Sequence, residues 1–218
     1  MPHKSLPSPS WPISFRATCL RATLYILLVA GIAQGVFYES LYLPDTRFSE
    51  HGFTELAQSA LLAAGAGLLL YSHLVIRTLP YISLLMFGFL FASLIREQDA
   101  LLDTYLFDGA WQLLVSLTVL PILFVVIRKR QCFLAEFAAY SNSFSFGLFA
   151  AGFLTTYVFS RLYGRGDFWQ AILQENYVRD FKSAAEEVVE LFGYAVLLIA
   201  VIELVLLARR WALARQNG

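Results

Sequence analysis

Charge is scarce in this chain. Of its 218 residues 15% are Asp, Glu, Lys or Arg, where a soluble domain carries about 25%. Histidine is scarcer still, at three residues, and there are two cysteines. Each shortage excludes a chemistry. His3, His51 and His73 are too few for a zinc hydrolase that needs several imidazole ligands. No Glu-x-x-His pair occurs, which excludes a di-iron carboxylate bundle. Two opposed histidines at membrane depth are missing, so b-type haem is not expected. No lysine falls inside an apolar run, which excludes a retinal Schiff base, and no Gly-x-Ser-x-Gly elbow marks a serine nucleophile. Nucleotide and nucleic acid are not expected, and the basic stretch Arg128-Lys129-Arg130 is short. Cys19 and Cys132 both fall at ends read as cytoplasmic, where thiols stay reduced, so no structural disulfide is expected.

What the chain has is apolar surface: 58% of its residues are hydrophobic and 16% aromatic. A bilayer core of roughly 30 Å takes about 20 helical residues per crossing. Six runs qualify, at residues 18–38, 55–76, 79–101, 109–127, 133–160 and 184–208. The fold class expected is all-α, a polytopic bundle of six transmembrane helices. Residues 1–17 read as a disordered cytoplasmic tail, rich in proline and serine, 18–208 as the membrane domain, and 209–218 as a second cytoplasmic tail. Gly31-Ile32-Ala33 offers small residues to a signal peptidase, but the apolar run continues through Val36-Phe37-Tyr38, which favours a retained first helix.

The formal net charge of zero hides two ends of opposite sign. Lys4, Arg16, Arg21, Arg77, Arg128, Lys129, Arg130, Arg209, Arg210 and Arg215 gather at one end of the runs, with only Glu136 and Glu203 among them. The other fourteen carboxylates gather at the opposite end. Because Lys and Arg stay on the cytoplasmic side, both termini are expected inside and the acidic loops on the periplasmic or extracellular face of an inner membrane.

Several local features carry packing expectations. Ala63 and Gly67 are four apart in a stretch of small residues and predict close helix approach. Pro121 predicts a kink, with Thr118 one turn earlier to offset the lost hydrogen bond. Tyr140-Ser141-Asn142-Ser143, then Ser145, give the fifth helix a polar middle that is expected mainly to bond neighbouring helices. Residues 161–183 read as a long loop of mixed charge. Glu203 reads as structural, reaching toward Arg209 and Arg210.

The candidate site lies at the acidic end. His51, Glu55 and Gln58 share one face of the second helix, and Glu186, Glu187 and Glu190 begin the sixth. Arg96, Asp99 and Asp103 share a face of the third, with Glu97 about 100° away. Seventeen residues from Leu79 to Ile95 are too few for a crossing, so Arg96, Glu97 and Asp99 are drawn into the edge of the hydrocarbon, where ionisable groups face protein or water and are paired. Arg96 is the expected counter-ion of Glu55, Glu190 or Asp99. The helix dipole alone would account for Glu186 and Glu187 in a first turn. Asp108, beside Gly109, reads as a cap.

Three segments, Ile95-Arg96-Glu97-x-Asp99, Ser160-Arg161-x-Tyr163-Gly164 and Lys182-Ser183-Ala184-Ala185-Glu186-Glu187-x-x-Glu190-Leu191-x-Gly193-Tyr194, together resemble a pattern in uncharacterised polytopic proteins of bacterial inner membranes. The resemblance spans most of the chain and implies a bacterial origin but no activity.

The function expected is that of an integral membrane protein whose outer site binds a cation or a polar head group, in transport, sensing or assembly. A second reading is a membrane-embedded enzyme acting on a lipid or isoprenoid-linked substrate, with Glu55 or Glu190 as general base and Arg96 holding an anionic group. If a metal assists, His51, Glu55 and Glu190 are its candidate ligands, a set that suits Ca²⁺, Mg²⁺ or Mn²⁺ better than zinc. A third reading keeps all these residues as ion pairs between helices. Membrane lipids are the expected partners; a homo-oligomer or a protein partner is left open.

Overall fold

A computed structural model describes residues 13–42 and 52–216. Most of the proline-rich tail, together with Pro44, Glu50 and His51, lies outside the described residues. Among those described, all regular structure is helical. The order is α1 (Phe15–Tyr42), α2 (Phe53–Tyr71) with a π-helical turn (Ser72–Ile76), α3 (Pro80–Glu97), α4 (Asp99–Tyr105), α5 (Ala110–Arg128) and α6 (Arg130–Tyr140). There follow α7 (Phe144–Phe153), a second π turn (Leu154–Phe159), α8 (Ser160–Tyr163), α9 (Gly166–Leu173) and α10 (Arg179–Gln216). Five segments are long and apolar enough to cross a bilayer: α1, α2 with its π turn, α3, α5 and α10. The bent pair of α6 with α7–α8 makes a sixth if it counts as one span.

Two of the six apolar runs do not form single helices. The run at 133–160 breaks at its polar middle, and its two arms differ in direction by 99°. The cause is local. Ser143 takes an extended backbone, φ −109° and ψ 153°, and its side chain accepts from Phe146 N as the N-cap of α7. Asn142 Nδ2 and Ser141 Oγ both donate to the Ala138 carbonyl. Short polar side chains offer the backbone partners that compete with a continuous helix. The arm from α7 through α8 spans about 20 residues, roughly 30 Å in length, and is apolar enough for a crossing only when taken together with α6. The run at 79–101 likewise stops at Glu97. Gln98 bonds back to Ile95 O at 3.2 Å, and α4 begins afresh at Asp99. Arg96, Asp99 and Asp103 therefore do not share one continuous helical face.

The connection at Arg77-Thr78 is tight. Arg77 is left-handed at φ 55°, Thr78 is buried, and Pro80 occupies the first turn of α3. Residues 161–183 are not a loop of open chain. They fold α9 back so that Trp169, buried, stacks edge-on against Tyr163 and Phe181 and donates Nε1–H to Tyr163 O at 2.8 Å. Pro121 lies inside α5 without ending it. Thr118 Oγ1 bonds Leu114 O rather than the Leu117 carbonyl that proline leaves without its amide, so the expected compensation is not made.

The centre of the bundle is α10, with buried side chains from Glu190 to Trp211. It packs against α7 and α2. Its close approach to the α7 arm rests on two glycines. A Cβ on Gly193 would overlap Thr156 Oγ1, with Thr156 N only 3.0 Å away, and one on Gly152 would meet Leu197 N at 3.0 Å and Gly193 O at 3.1 Å. Here the absence of a side chain permits backbone contact. The expected pair is different. Ala63 and Gly67 are exposed, nothing would contact a Cβ at Gly67, and the inward stripe of α2 is Leu62, Gly65, Ala66 and Leu69. A run composed wholly of small and apolar residues does not declare which face turns inward.

Helix starts are held by carboxylates from elsewhere in the chain. Glu39, at the end of α1, accepts from Thr54 N at 3.0 Å and Thr54 Oγ1 at 2.5 Å in the first turn of α2. Glu136 of α6 accepts from Tyr81 N at 2.9 Å and Ile82 N at 3.0 Å in the first turn of α3. Both satisfy amides that have no intrahelical acceptor.

Substituting Gly193→Ala is expected to cost about 1–3 kcal/mol through overpacking, whereas Gly67→Ala should change stability by less than about 0.5 kcal/mol. Thermal unfolding in detergent compares them, and equal effects would refute the assigned interface.

Candidate functional site

At the carboxylate-rich end α2, α3 and α10 converge, as the sequence suggests. Gln58, buried, donates to Glu187 O at 3.1 Å and ties α2 to α10. Gln98 Nε2 donates to Ser59 Oγ at 2.7 Å and ties the α3–α4 break to α2. Tyr194, 1% exposed, donates its hydroxyl to Glu97 Oε1 at 2.8 Å and ties α10 to α3. One turn earlier on α3, Ser93 Oγ lies 2.6 Å from Tyr157 OH, whose ring packs edge-on against Tyr194.

Between α2 and the α3–α4 break lies a crevice of about 440 Å³. Its polar walls are Glu55, Ser59, Arg96, Glu97, Gln98 and Asp99, and Leu56 and Leu101 form an exposed apolar part of its lining. The broken helix is what builds it. By ending α3 at Glu97, Gln98 turns toward Ser59, and Asp99 restarts the chain as an exposed residue beside Arg96. Three carboxylates and one guanidinium share this wall. Arg96 enters no ion pair among the described residues, so the expected pairing with Glu55, Glu190 or Asp99 is not formed.

Other predicted residues do not line the crevice. Asp103 Oδ1 accepts from Gly109 N at 3.0 Å and closes the turn before α5, the role the sequence suggested for Asp108. Glu186 and Glu187 do not stand in a first turn, because α10 begins at Arg179 and its first-turn acid is Asp180. Glu186 is instead held by Lys182 at 2.7 Å and Arg161 at 2.8 Å. Glu187 stands in the field of Glu55, Glu190, Glu39 and Glu186.

Glu190 is buried and bound to Arg161 Nη2 at 2.7 Å, with Ser160 Oγ 3.3 Å away. Its carboxylate joins α10 to α8. Glu55 and Glu190 thus occupy different surroundings, and His51 lies outside the described residues. Among the described residues no three His, Cys, Asp or Glu side chains gather as a metal centre. The residues that sequence reasoning missed are Arg161, Ser160, Tyr194, Gln98 and Ser59. Arg161, Ser160 and Tyr194 lie within the segments that carry the family resemblance. Gln98 and Ser59 are neutral and give no signal of charge at depth. No family model, curated protein or solved structure matches this chain.

The half-exposed Arg161 guanidinium neutralises a buried carboxylate. Arg161→Gln is expected to lower stability by roughly 1–3 kcal/mol, below the full cost of breaking a buried pair because solvent reaches the arginine. Adding Glu190→Gln should recover part of that loss. A double-mutant cycle by denaturant unfolding reads the coupling, and strictly additive effects would show that the pair contributes nothing.

Proposed function

We propose that this protein is an integral membrane protein of a bacterial inner membrane, with the crevice facing outward, and that the crevice binds a polar lipid head group carrying a basic amine and a phosphate. The observation that carries this reading is the wall itself: Arg96 set among Glu55, Glu97 and Asp99 beside exposed Leu56 and Leu101. A bare cation would meet the guanidinium as well as the acids. A zwitterionic head group matches both signs, with its ammonium toward Asp99 and its phosphate toward Arg96. The leucines are placed to meet the attached hydrocarbon, and the volume suits a small polar group.

The role that follows is lipid recognition in transport, sensing or assembly rather than catalysis. Glu190, one of the two carboxylates suited by depth to act as a base, is engaged by Arg161 and Ser160 and is not part of the crevice wall. The ion pairs at Glu186 and Glu190 support a structural role for those two residues beside a binding role for the crevice.

Native mass spectrometry of the purified protein with phosphatidylethanolamine, phosphatidylcholine and phosphatidylglycerol tests the reading. The amine-bearing lipid is expected to be retained most strongly, because its ammonium donates hydrogen bonds that a quaternary amine cannot. Arg96→Gln and Asp99→Asn should each weaken that retention about tenfold, near the value of one charge-assisted hydrogen bond. Retention without head-group preference, or preference unchanged in both variants, would overturn the proposal.

A further inference from the structure

A second cavity, of about 600 Å³, lies at the arginine-rich end, between α1, the bend that joins α6 to α7, and the last turns of α10. Much of its wall is apolar, including Ala22, Phe144 and Leu207. Three charged residues line it: Arg21, Glu203 and Arg210. Glu203 is already satisfied. It accepts from Arg21 Nη1 at 3.0 Å and from Tyr25 OH at 2.6 Å, which ties α10 to α1. The expected reach of Glu203 toward Arg209 and Arg210 is therefore not made. Arg209 is occupied elsewhere, donating to Tyr71 OH at 2.8 Å with its guanidinium 5.4 Å from the centre of that ring.

Arg210 differs from both other arginines. It enters no ion pair among the described residues, and its Nε is buried without an acceptor. The same holds for Nε1 of Trp211, a side chain 6% exposed on the same cavity wall. Buried N–H groups in folded proteins almost always have an acceptor. Both residues line the cavity, and a permanent cation next to two N–H groups that lack acceptors suits an anion rich in oxygen acceptors. With Arg21 neutralised by Glu203, the wall carries one positive charge in excess. The apolar remainder suits a hydrocarbon chain, and α1, which forms one side of the cavity, has none of its most apolar 18-residue window buried.

We propose that this cavity binds the phosphate of an anionic glycerophospholipid, with Arg210 and Trp211 as its N–H donors and the apolar wall taking the start of an acyl chain. The site is separate from the α2–α3 crevice, and it selects for negative charge where the crevice selects for a zwitterion. The bend at residues 141–143 acquires a purpose in this arrangement. It sets α6 aside and brings Asn142 and Ser143 to the cavity mouth.

Thermal unfolding of the purified full chain in detergent, titrated with phosphatidylglycerol, phosphatidylcholine or inorganic phosphate alone, tests the proposal. Phosphatidylglycerol is expected to raise the midpoint by several degrees, and the other two to leave it close to its starting value. Arg210→Gln should weaken the phosphatidylglycerol response about tenfold. Trp211→Phe keeps the aromatic bulk while removing the donor, and should weaken it as well, which keeps the test decisive if the arginine variant folds poorly. Arg209→Gln should leave the response intact. An equal rise with phosphatidylcholine, an equal rise with inorganic phosphate, an unchanged response in Trp211→Phe, or an equal loss in Arg209→Gln would each overturn the assignment.

Discussion

A carboxylate taken into a membrane bundle must be given donors, because desolvating an unpaired charge costs several kcal/mol. Four buried glutamates meet that requirement here, each between different helices. Glu39 joins α1 to α2 through Thr54, Glu136 joins α6 to α3 through two amides, Glu190 joins α10 to α8 through Arg161, and Glu203 joins α10 to α1 through Arg21 and Tyr25. Lipid supplies little hydrophobic force to hold one apolar helix against another. In this chain the scarce charges, more than the abundant leucines, specify which helices are neighbours.

The same logic sets the two ends of the protein apart. At the carboxylate-rich end most acids have assigned donors, and the crevice beside Arg96 is where acid and guanidinium stand together without a mutual ion pair among the described residues. At the arginine-rich end Glu203 is satisfied by α1, and Arg210 with Trp211 retains donors. Each candidate binding surface thus carries a guanidinium, Arg96 or Arg210, that enters no ion pair among the described residues. Both also sit at a helix break, at Gln98 and at residues 141–143, where polar side chains divert the backbone and open space that a continuous helix would fill.

Much of this architecture is legible in the sequence. Hydrophobic run length locates all the long helices, because about 20 consecutive apolar residues match the thickness of a bilayer core. The convergence of α2, α3 and α10 follows from acids at matching depth. Pairings across the chain are not legible. Arg161 lies in a stretch that looks like loop, and nothing in its neighbours points to Glu190 some thirty residues away. The interface glycines are equally hidden, since Gly67 and Gly193 differ only in what lies opposite. Helix breaks escape for another reason. Run length counts apolar residues and is blind to a Ser that caps a new helix inside the run, as Ser143 does for α7.

On the proposed reading Glu190 and Arg96 divide the labour of the carboxylate-rich end: the first, paired with Arg161, holds the bundle together, and the second, on the crevice wall, meets the head group. The most direct measurement is thermal unfolding of Glu190→Gln and Arg96→Gln side by side, each with and without phosphatidylethanolamine. The expected result is that Glu190→Gln lowers the midpoint in detergent but keeps the rise on adding lipid, and that Arg96→Gln keeps the midpoint but loses the rise. The opposite pattern, with the lipid response lost in Glu190→Gln and kept in Arg96→Gln, would contradict this division.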